Sequence, residues 1–308
     1  GLGCLGVVVE ITMQCIPAHN LVEHTFVLTR DQAIQQKDEL LEKHKHMRFM
    51  WIPYTDAVVV VTNDPDDQVD DSTPRNQTAP GSSEERNSPL TDLLKELCTE
   101  HNKPFSEEDV KGMGFGEVRD ALLAFDPLSV KHVKRCNRAE AEFWKKNEGQ
   151  TNSNDMEFMQ ELLRKIEENG VPAHSPIEQR WSASSSSPMS PAHGEPDEIF
   201  TWVGIINYLP TDDPKQRSEI TRLFTGKYCD LVRTIGRPLK SVSHWAKLEE
   251  PQSVWKAVEL KTLYLDRFPI AEFNAVRGMY DPKNIMSSPL LNLVLGKPTS
   301  VAPYQPTP

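Results

Sequence analysis

The sequence lacks the features that mark membrane-spanning, disulfide-linked and metal-binding proteins. No run of about 18 apolar residues occurs, so we expect no transmembrane helix in this chain. The five cysteines form no CxxC pair, which indicates free thiols in a reducing or thiol-tolerant compartment. There is no HExxH motif or Cys/His cluster, and His44 and His46 would diverge on a helix, so we predict no metal site.

Two motifs of other protein classes are missing or out of place. Gly1-x-Gly3-x-x-Gly6 matches the dinucleotide-binding pattern, but a strand is predicted after it, where that motif should open a helix. No GxSxG elbow occurs, and the serine-rich residues 182–187 are predicted to form a flexible loop. Both observations argue against a dinucleotide fold at the start of the chain and against a serine hydrolase.

Charge and composition narrow the classes further. The net charge of −11 argues against nucleic acid as a partner. An apolar content of 38% is low for a compact chain and predicts a sizeable exposed part. Residues 63–88 carry seven acidic side chains and two arginines, so we predict a disordered loop there. The 308 residues allow one large domain or two ordinary ones.

The predicted strands and helices come in blocks, which favours an α+β fold over a doubly wound sheet. Strands are predicted at 5–15, 21–29, 47–53, 57–62, 176–181 and 199–209. Helices are predicted at 31–45, 90–98, 115–125, 128–144, 154–170, 211–229, 252–267 and 270–280. Ser88 and Pro89 are expected to cap and begin the second helix, and a short strand or turn is expected at 244–248.

The strongest candidate for a site is Glu178-Gln179-Arg180, in a run that reads as a strand. Side chains alternate between the faces of a strand, so Glu178 and Arg180 would share one face and Gln179 would take the other. Burying two charged side chains costs free energy. Such residues are usually kept because they pair with each other or take part in catalysis or binding. From these residues alone, an ordinary structural ion pair and a functional pair are both open.

A second candidate is His244-Trp245-Ala246-Lys247. Lys247 beside aromatic side chains is consistent with a buried cation that has a functional target. A single lysine is more often an ordinary exposed residue, and the sequence alone leaves both interpretations open.

A series of ordered segments carries a resemblance to a known family. The segments are residues 3–12, 21–26, 51–56, 126–128, 132–135, 139–144, 176–181, 202–206, 208–210 and 244–247. With them the chain resembles the flavin-dependent aldonolactone oxidoreductases of the vanillyl-alcohol-oxidase-like superfamily, and within that group the plant-type galactonolactone dehydrogenases. The resemblance covers nearly the whole chain except the acidic loop and the tail.

The resemblance implies an FAD-binding domain followed by a cap domain that carries the substrate site on a mainly antiparallel sheet flanked by helices. On that basis, residues 1–16 would contain the last strand of an FAD-binding domain, the rest of which we expect to be missing from this chain. Residues 17–297 would form the cap domain, including the disordered acidic loop 63–88. Residues 298–308 would form a tail.

The resemblance also assigns roles to individual residues. It places Glu178, Arg180 and Lys247 in catalysis, and Gly6, Val8 and His244 beside FAD. Oxidation of a lactone sends a hydride to the flavin and releases a proton from a hydroxyl, for which a carboxylate such as Glu178 is a suitable acceptor. A guanidinium such as Arg180 can hold lactone oxygens, and Lys247 can add positive charge near the reduced flavin.

The implied activity is oxidation of L-galactono-1,4-lactone to L-ascorbate, with cytochrome c as electron acceptor, at the mitochondrial inner membrane or intermembrane space. Association with assembling respiratory complex I is also implied. Two alternatives stay open: a non-catalytic role in complex I assembly, and a related gulonolactone or alditol oxidase. A Cys-containing stretch of the family is missing between residues 149 and 151, so none of the five cysteines is assigned its redox role.

Overall fold

The computed structural model describes residues 2–69, 83–146, 157–247, 251 and 253–298. Five strands form one sheet in the order β1-β3-β2-β4-β5. The strands are β1 (Leu21–Thr29), β2 (His46–Trp51), β3 (Ala57–Pro65), β4 (Ile177–Ala183) and β5 (Ile199–Gly204). β1 with β3, β2 with β3, and β2 with β4 pair antiparallel, so the α+β prediction is confirmed in these elements.

The chain divides into two compact units. The first, called the sheet unit, comprises Ala18–Trp181 and Thr201–Ile235. The second, called the helical unit, comprises Gly1–Pro17, Ser182–Phe200 and Gly236–Pro308. The predicted domain boundaries at 16/17 and 297/298 stay predictions.

The eight predicted helices occur in the predicted order, and among the described residues the structure adds three that were not predicted, at 107–110, 229–236 and 289–295. They are α1 (Arg30–Lys43), α2 (Ser83–Glu100), α3 (Glu107–Val110), α4 (Phe115–Leu123), α5 (Val130–Lys145), α6 (Glu157–Glu168), α7 (Pro214–Leu223), α8 (Cys229–Gly236), α9 (Val254–Arg267), α10 (Ile270–Tyr280) and α11 (Pro289–Leu295). A π-helical segment, Phe224–Tyr228, joins α7 to α8, and short 3₁₀ turns span Arg237–Leu239 and Trp245–Lys247. Across the described ranges, no helix combines the length and the apolar character needed to cross a membrane.

One face of the sheet, the helix-covered face, forms the core of the sheet unit. Its strand residues are Phe26, Leu28, Phe49, Trp51, Val58, Val60 and Ile177. Helices α1 and α6 pack on this face through a second buried set, Ala33, Leu40, Met159, Leu162, Leu163 and Ile166. Apolar residues three and four apart on α6 form the single stripe that this packing requires.

The opposite face, called the outer face, is covered at one end by α5. Val59 and Val61 of β3 pack there with Ala141 and Trp144. Helices α2, α4 and α5 share a further core built from leucines, Val118, Val133 and Phe143. In the helical unit, α9, α10 and α11 bury Tyr264, Phe268, Phe273, Val294 and Leu295.

The prediction of a strand at 5–15 is wrong. Residues 6–20 belong to no helix or strand, and the apolar side chains from Val7 to Ile16 are exposed. A β-branched sequence becomes a strand only when another strand supplies its ladder hydrogen bonds, and no described strand pairs with this segment. The strand that was expected to precede the cap is therefore not formed in this structure.

The predicted loop 63–88 is too wide at both ends. β3 continues to Pro65, where Asp64 accepts a hydrogen bond from the Lys45 amide (2.8 Å) and contacts His44 Nδ1 (2.5 Å). Helix α2 already begins at Ser83, with Pro89 inside it. Pro89 has no amide hydrogen to donate to the Glu85 carbonyl. That carbonyl accepts a hydrogen bond from the Ser88 hydroxyl at 3.0 Å instead. Residues 70–82 lie outside the described part of the chain.

Smaller corrections concern element ends. The strand predicted at 199–209 stops at Gly204, and the helix predicted at 211–229 begins at Pro214, where the Asp213 carboxylate caps the Lys215 amide at 3.0 Å. The 3₁₀ turn Trp245–Lys247 confirms the turn, one of the two structures expected at 244–248. The family's missing stretch near 150 and most of the tail lie outside the described residues.

Candidate functional site

Two buried hydrogen bonds hold β4 in place on either side of Glu178. Ser175 donates from its hydroxyl to Glu140 Oε1 (2.9 Å), just before the strand begins. Trp51 donates from its indole Nε1 to Gln179 Oε1 (3.0 Å), on the helix-covered face. Because successive side chains of a strand take opposite faces, Glu178 and Arg180 lie on the outer face, as the sequence predicted.

Glu178 and Arg180 form a direct ion pair. Arg180 Nη2 lies 2.5 Å from Glu178 Oε1. Their side chains are not buried, since 35% of the Glu178 side chain and 55% of the Arg180 side chain are exposed. The expected desolvation cost is therefore small, and an exposed pair of this kind contributes at most about 1 kcal/mol to stability. Folding alone gives a weak reason for this pair, and both side chains are accessible to a ligand.

A third charged residue, Arg48 of β2, belongs to the same cluster and was missed in the sequence. β2 pairs with β4 so that Arg48 lies directly opposite Arg180 and Met50 lies opposite Glu178. Arg48 Nη1 is 3.8 Å from Glu178 Oε1, the oxygen that Arg180 also contacts. The alternation of side chains in His46–Trp51 could have predicted that Arg48 lies on the face opposite Phe49 and Trp51. It could not have predicted that β2 pairs with β4.

Gly204 borders the cluster on β5. A Cβ added to Gly204 would lie 3.9 Å from Glu178 Cβ, in ordinary van der Waals contact. The missing side chain leaves the stem of Glu178 uncovered on that side. The outer face around Glu178 therefore presents one carboxylate, two guanidiniums and an open backbone neighbour.

His244 and Lys247 lie in the helical unit. The Ala246 amide donates to His244 Nδ1 at 3.1 Å, so a neutral His244 would carry its proton on Nε2. Trp245 packs edge-on against Tyr264, with ring centroids 4.8 Å apart, and donates to the Met189 carbonyl at 2.7 Å. Lys247 is exposed, so the hypothesis that it is a buried cation is wrong. The tryptophan occupies the aromatic cluster in its place.

Gly6 and Val8, the other residues assigned to FAD, lie in the segment without secondary structure. Gly6 has φ +142°, a conformation that favours glycine, and an added Cβ would meet no atom within 4 Å. The Val8 residue is 73% exposed. The backbone of this segment is accessible, but no described residue gathers it into a cradle for phosphates.

Two buried titratable groups support the start of β4. Burial raises the pKa of the Glu140 carboxyl, and the hydrogen bond from Ser175 opposes that shift. Burial lowers the pKa of His174, whose Nδ1 accepts from the Tyr208 amide at 3.0 Å. His174 Nε2 donates to the Pro127 carbonyl at 3.0 Å, so the ring is neutral and joins the β4 entry to the segment after β5.

The described residues contain no group of three or more His, Cys, Asp or Glu side chains arranged to hold a metal ion. A carboxylate can accept hydrogen bonds from hydroxyls, and guanidiniums can donate to carbonyl and ring oxygens. This combination of acceptors and donors is chemically suited to an oxygen-rich organic ligand.

The comparison with known families is more specific. The model of the D-arabinono-1,4-lactone oxidase family matches residues 11–106 and 132–294, and the chain belongs to this family. The chain is 38% identical over 322 residues to L-galactono-1,4-lactone dehydrogenase 2, mitochondrial, from Oryza sativa subsp. japonica. That match covers 94% of this chain and 55% of the relative, so the chain spans about half the length of the curated relative it matches.

Two weaker likenesses were also found. L-gulonolactone oxidase from Bos taurus is 40% identical over 63 residues, which are 20% of this chain and 14% of that protein. Among solved structures, a solvent-stable cholesterol oxidase covers 90% of this chain and 60% of its own, with a TM-score of 0.42 and 13% identity. That structural likeness is too slight to support an argument.

Proposed function

We propose that this protein takes part in the flavin-dependent oxidation of an aldonolactone, with L-galactono-1,4-lactone as substrate and L-ascorbate as product. The observation that carries the proposal is the cluster of Glu178, Arg180 and Arg48 on the accessible outer face, within the part of the chain that matches the family. Membership of the family and the names of its plant relatives favour this substrate over others.

Arg180 is proposed to bind the lactone. Its guanidinium is the most exposed charged group of the cluster, and it carries several donors in a rigid plane. It would hold a ring or carbonyl oxygen and stabilise negative charge that develops there during oxidation. Its bond to Glu178 fixes its position before the substrate arrives.

Glu178 is proposed to accept a hydrogen bond, and then the proton, from the hydroxyl that is oxidised. Arg180 occupies its Oε1, and Oε2 has no hydrogen-bond partner among the described residues. Proton transfer needs the carboxylate within about 3 Å of the hydroxyl. Because Gly204 has no side chain, we expect a substrate to approach Glu178 from the β5 side.

FAD fits part of this arrangement. When bound, the flavin supplies the two-electron acceptor. Positive groups favour a reduced, anionic cofactor, and in the sheet unit Arg180 would supply one. In the helical unit, the exposed Lys247 would supply positive charge, and His244 with the backbone at Gly6 and Val8 would be the contacts that the family resemblance assigns to FAD. The phosphates would need donors beyond those described here.

The finer parts of the proposal concern the partners and the compartment. We expect cytochrome c as electron acceptor and a location at the mitochondrial inner membrane or intermembrane space, in line with the relatives named mitochondrial. The alternative is a non-catalytic role in association with complex I assembly intermediates. The experiments below distinguish this role from catalysis.

The test is lactone-dependent bleaching of the flavin spectrum in the purified protein supplied with FAD, followed by reduction of cytochrome c. We expect Glu178→Gln and Arg180→Ala to lower the rate by about 100-fold. Arg164→Ala, which removes two exposed ion pairs on α6, is the matched control and should leave the rate unchanged. Unaltered rates in both site variants would refute the site assignment.

Parallel assays separate the alternatives. Preference for L-gulono-1,4-lactone or an alditol would favour the rival oxidases. A colourless protein that takes up no flavin, turns over no lactone and comigrates with complex I intermediates would favour the assembly role.

A further inference from the structure

Arg48 occupies a position that sheet stability does not explain. It lies directly opposite Arg180 on the neighbouring strand, and like charges at such positions are destabilising. The cluster contains two guanidiniums and one carboxylate, so it carries one uncompensated positive charge. Arg48 does not yet make the hydrogen bond that would relieve this, because its Nη1 stops 3.8 Å from Glu178 Oε1.

A second observation concerns the same side chain. The Nε of Arg48 is buried and has no hydrogen-bond partner among the described residues. An unsatisfied buried donor is costly, more so when it belongs to a charged group. The Glu178 carboxylate, which Arg180 holds at 2.5 Å, lies 3.8 Å from Nη1 of this guanidinium.

We propose that Arg48 is a positioning residue that takes over the Glu178 carboxylate when Arg180 turns to the substrate. Glu178 then has two alternative cationic partners, one on its own strand and one across the β2–β4 pair. Arg180 releases the carboxylate to bind an oxygen of the ligand, and Arg48 closes the gap of 3.8 Å. Glu178 keeps a cationic partner throughout, and the Arg48 guanidinium gains a hydrogen bond to it.

The exchange explains the geometry of all three residues. Arg180 is the more exposed cation, at 55%, and is placed to meet a ligand. Arg48 is 41% exposed and its Nε is enclosed, so it is the less accessible cation and serves the carboxylate. For the lactone-bound state this inference rests on the proposed function, whereas the sharing of Glu178 between two arginines does not.

The direct test observes the arginine Nε–H groups of the ¹⁵N-labelled protein by NMR. Arg48→Lys and Arg180→Lys each remove one signal and so assign both. In Arg180→Met, with no ligand added, the freed Glu178 should bind Arg48, shifting its Nε–H signal and slowing its exchange with water by about tenfold. Glu178→Gln in the Arg180→Met background should abolish both effects.

Two outcomes overturn the exchange. One is an Arg48 signal that stays unmoved in Arg180→Met. The other is an effect that survives Glu178→Gln. Neither outcome depends on flavin, lactone or turnover. The exchange of Glu178 between the two arginines can therefore be refuted while the proposed function stands. Equally, the proposed function can be refuted while the exchange stands.

A second arm adds L-galactono-1,4-lactone to the unaltered protein, with mannitol as control. The Arg180 and Arg48 signals should move together with one dissociation constant, because one exchange drives both. An Arg180 signal that moves without Arg48 would overturn the proposal. In turnover, Arg48→Met should raise KM by about tenfold and Arg48→Lys should recover part of that loss, since lysine keeps the charge but not the fork.

Discussion

The two faces of one sheet differ sharply, although the same strands supply both. On the helix-covered face, Gln179 is buried and its amide oxygen accepts from Trp51. On the outer face, the adjacent Glu178 and Arg180 are accessible and pair with each other. A period of two residues therefore separates the part of β4 that holds the fold from the part available for chemistry.

Because one face is buried and the other accessible, substitutions on the two faces should change different measured quantities. Apolar groups on the helix-covered face contribute through area removed from water and through close packing, so their loss should appear in the free energy of unfolding. The exposed charges contribute little to that quantity. Their loss should appear in ligand binding and turnover.

The largest expected effect is on the helix-covered face. Phe49 is fully buried, with its ring 5.1 Å from that of Trp181. Phe49→Ala should lower the free energy of unfolding by about 3–5 kcal/mol, through lost transfer energy and the cavity that remains. Urea denaturation measures this, and Phe49→Leu should lose clearly less. Equal losses for the two variants would mean that the site collapses around the change.

On the outer face, the second-largest expected effect is on turnover rather than on stability. Arg180→Ala should cost about 1 kcal/mol of stability or less, because the pair it breaks is exposed. Its kcat/KM for the lactone should fall by about 100-fold. Urea denaturation and steady-state kinetics on the same preparation give both numbers. The contrast between the faces would fail if Arg180→Ala destabilised the protein as strongly as Phe49→Ala.

A smaller effect concerns the polar group within the apolar face. Gln179→Leu leaves the buried Trp51 Nε1 without an acceptor and should cost about 1–3 kcal/mol. Adding Trp51→Phe removes the unpaired donor, so the double variant should lose less than the sum of the two single changes. Strict additivity in urea denaturation would show that the hydrogen bond is not the reason for the loss.

The smallest effect is a pH dependence near the start of β4. The raised pKa of Glu140 means that the folded state holds its proton above pH 4.5, the ordinary value. Stability from this group is present at lower pH and is lost as pH rises from 4.5 through the folded pKa. Glu140→Gln keeps an acceptor for Ser175 and should stabilise the protein more at pH 8 than at pH 5.

Thermal unfolding at the two pH values checks this difference. Glu142→Gln, an exposed neighbour on α5, is the control and should show no such trend. A gain for Glu140→Gln that is equal at both pH values would contradict a protonated carboxyl in the folded state.

Much of the local architecture could be predicted from the sequence. The alternation in β4 gave the faces of Glu178, Gln179 and Arg180 correctly, because a strand leaves each side chain only two directions. The helix predicted at 154–170 was also recognisable, and its apolar residues Met159, Leu163 and Ile166 are all buried. These are properties of neighbouring residues, which local geometry controls.

Other features could not be predicted because they depend on distant partners. The strand predicted at 5–15 is not formed, since strand propensity has no effect without a paired edge. Pro89 lies inside α2 rather than at its start, and Ser88 supplies the hydrogen bond that the proline cannot make. Lys247 is exposed because Trp245 fills the aromatic cluster next to it.

The sequence by itself determined the family, the order of the elements and the shared face of Glu178 and Arg180, because each of these is encoded in short stretches of residues. Only the tertiary structure decided that Arg48 joins them. The register between β2 and β4 brings together residues more than a hundred positions apart, and it depends on how both strands bury their opposite face. The site is thus an outcome of core packing, which no single stretch of the chain specifies.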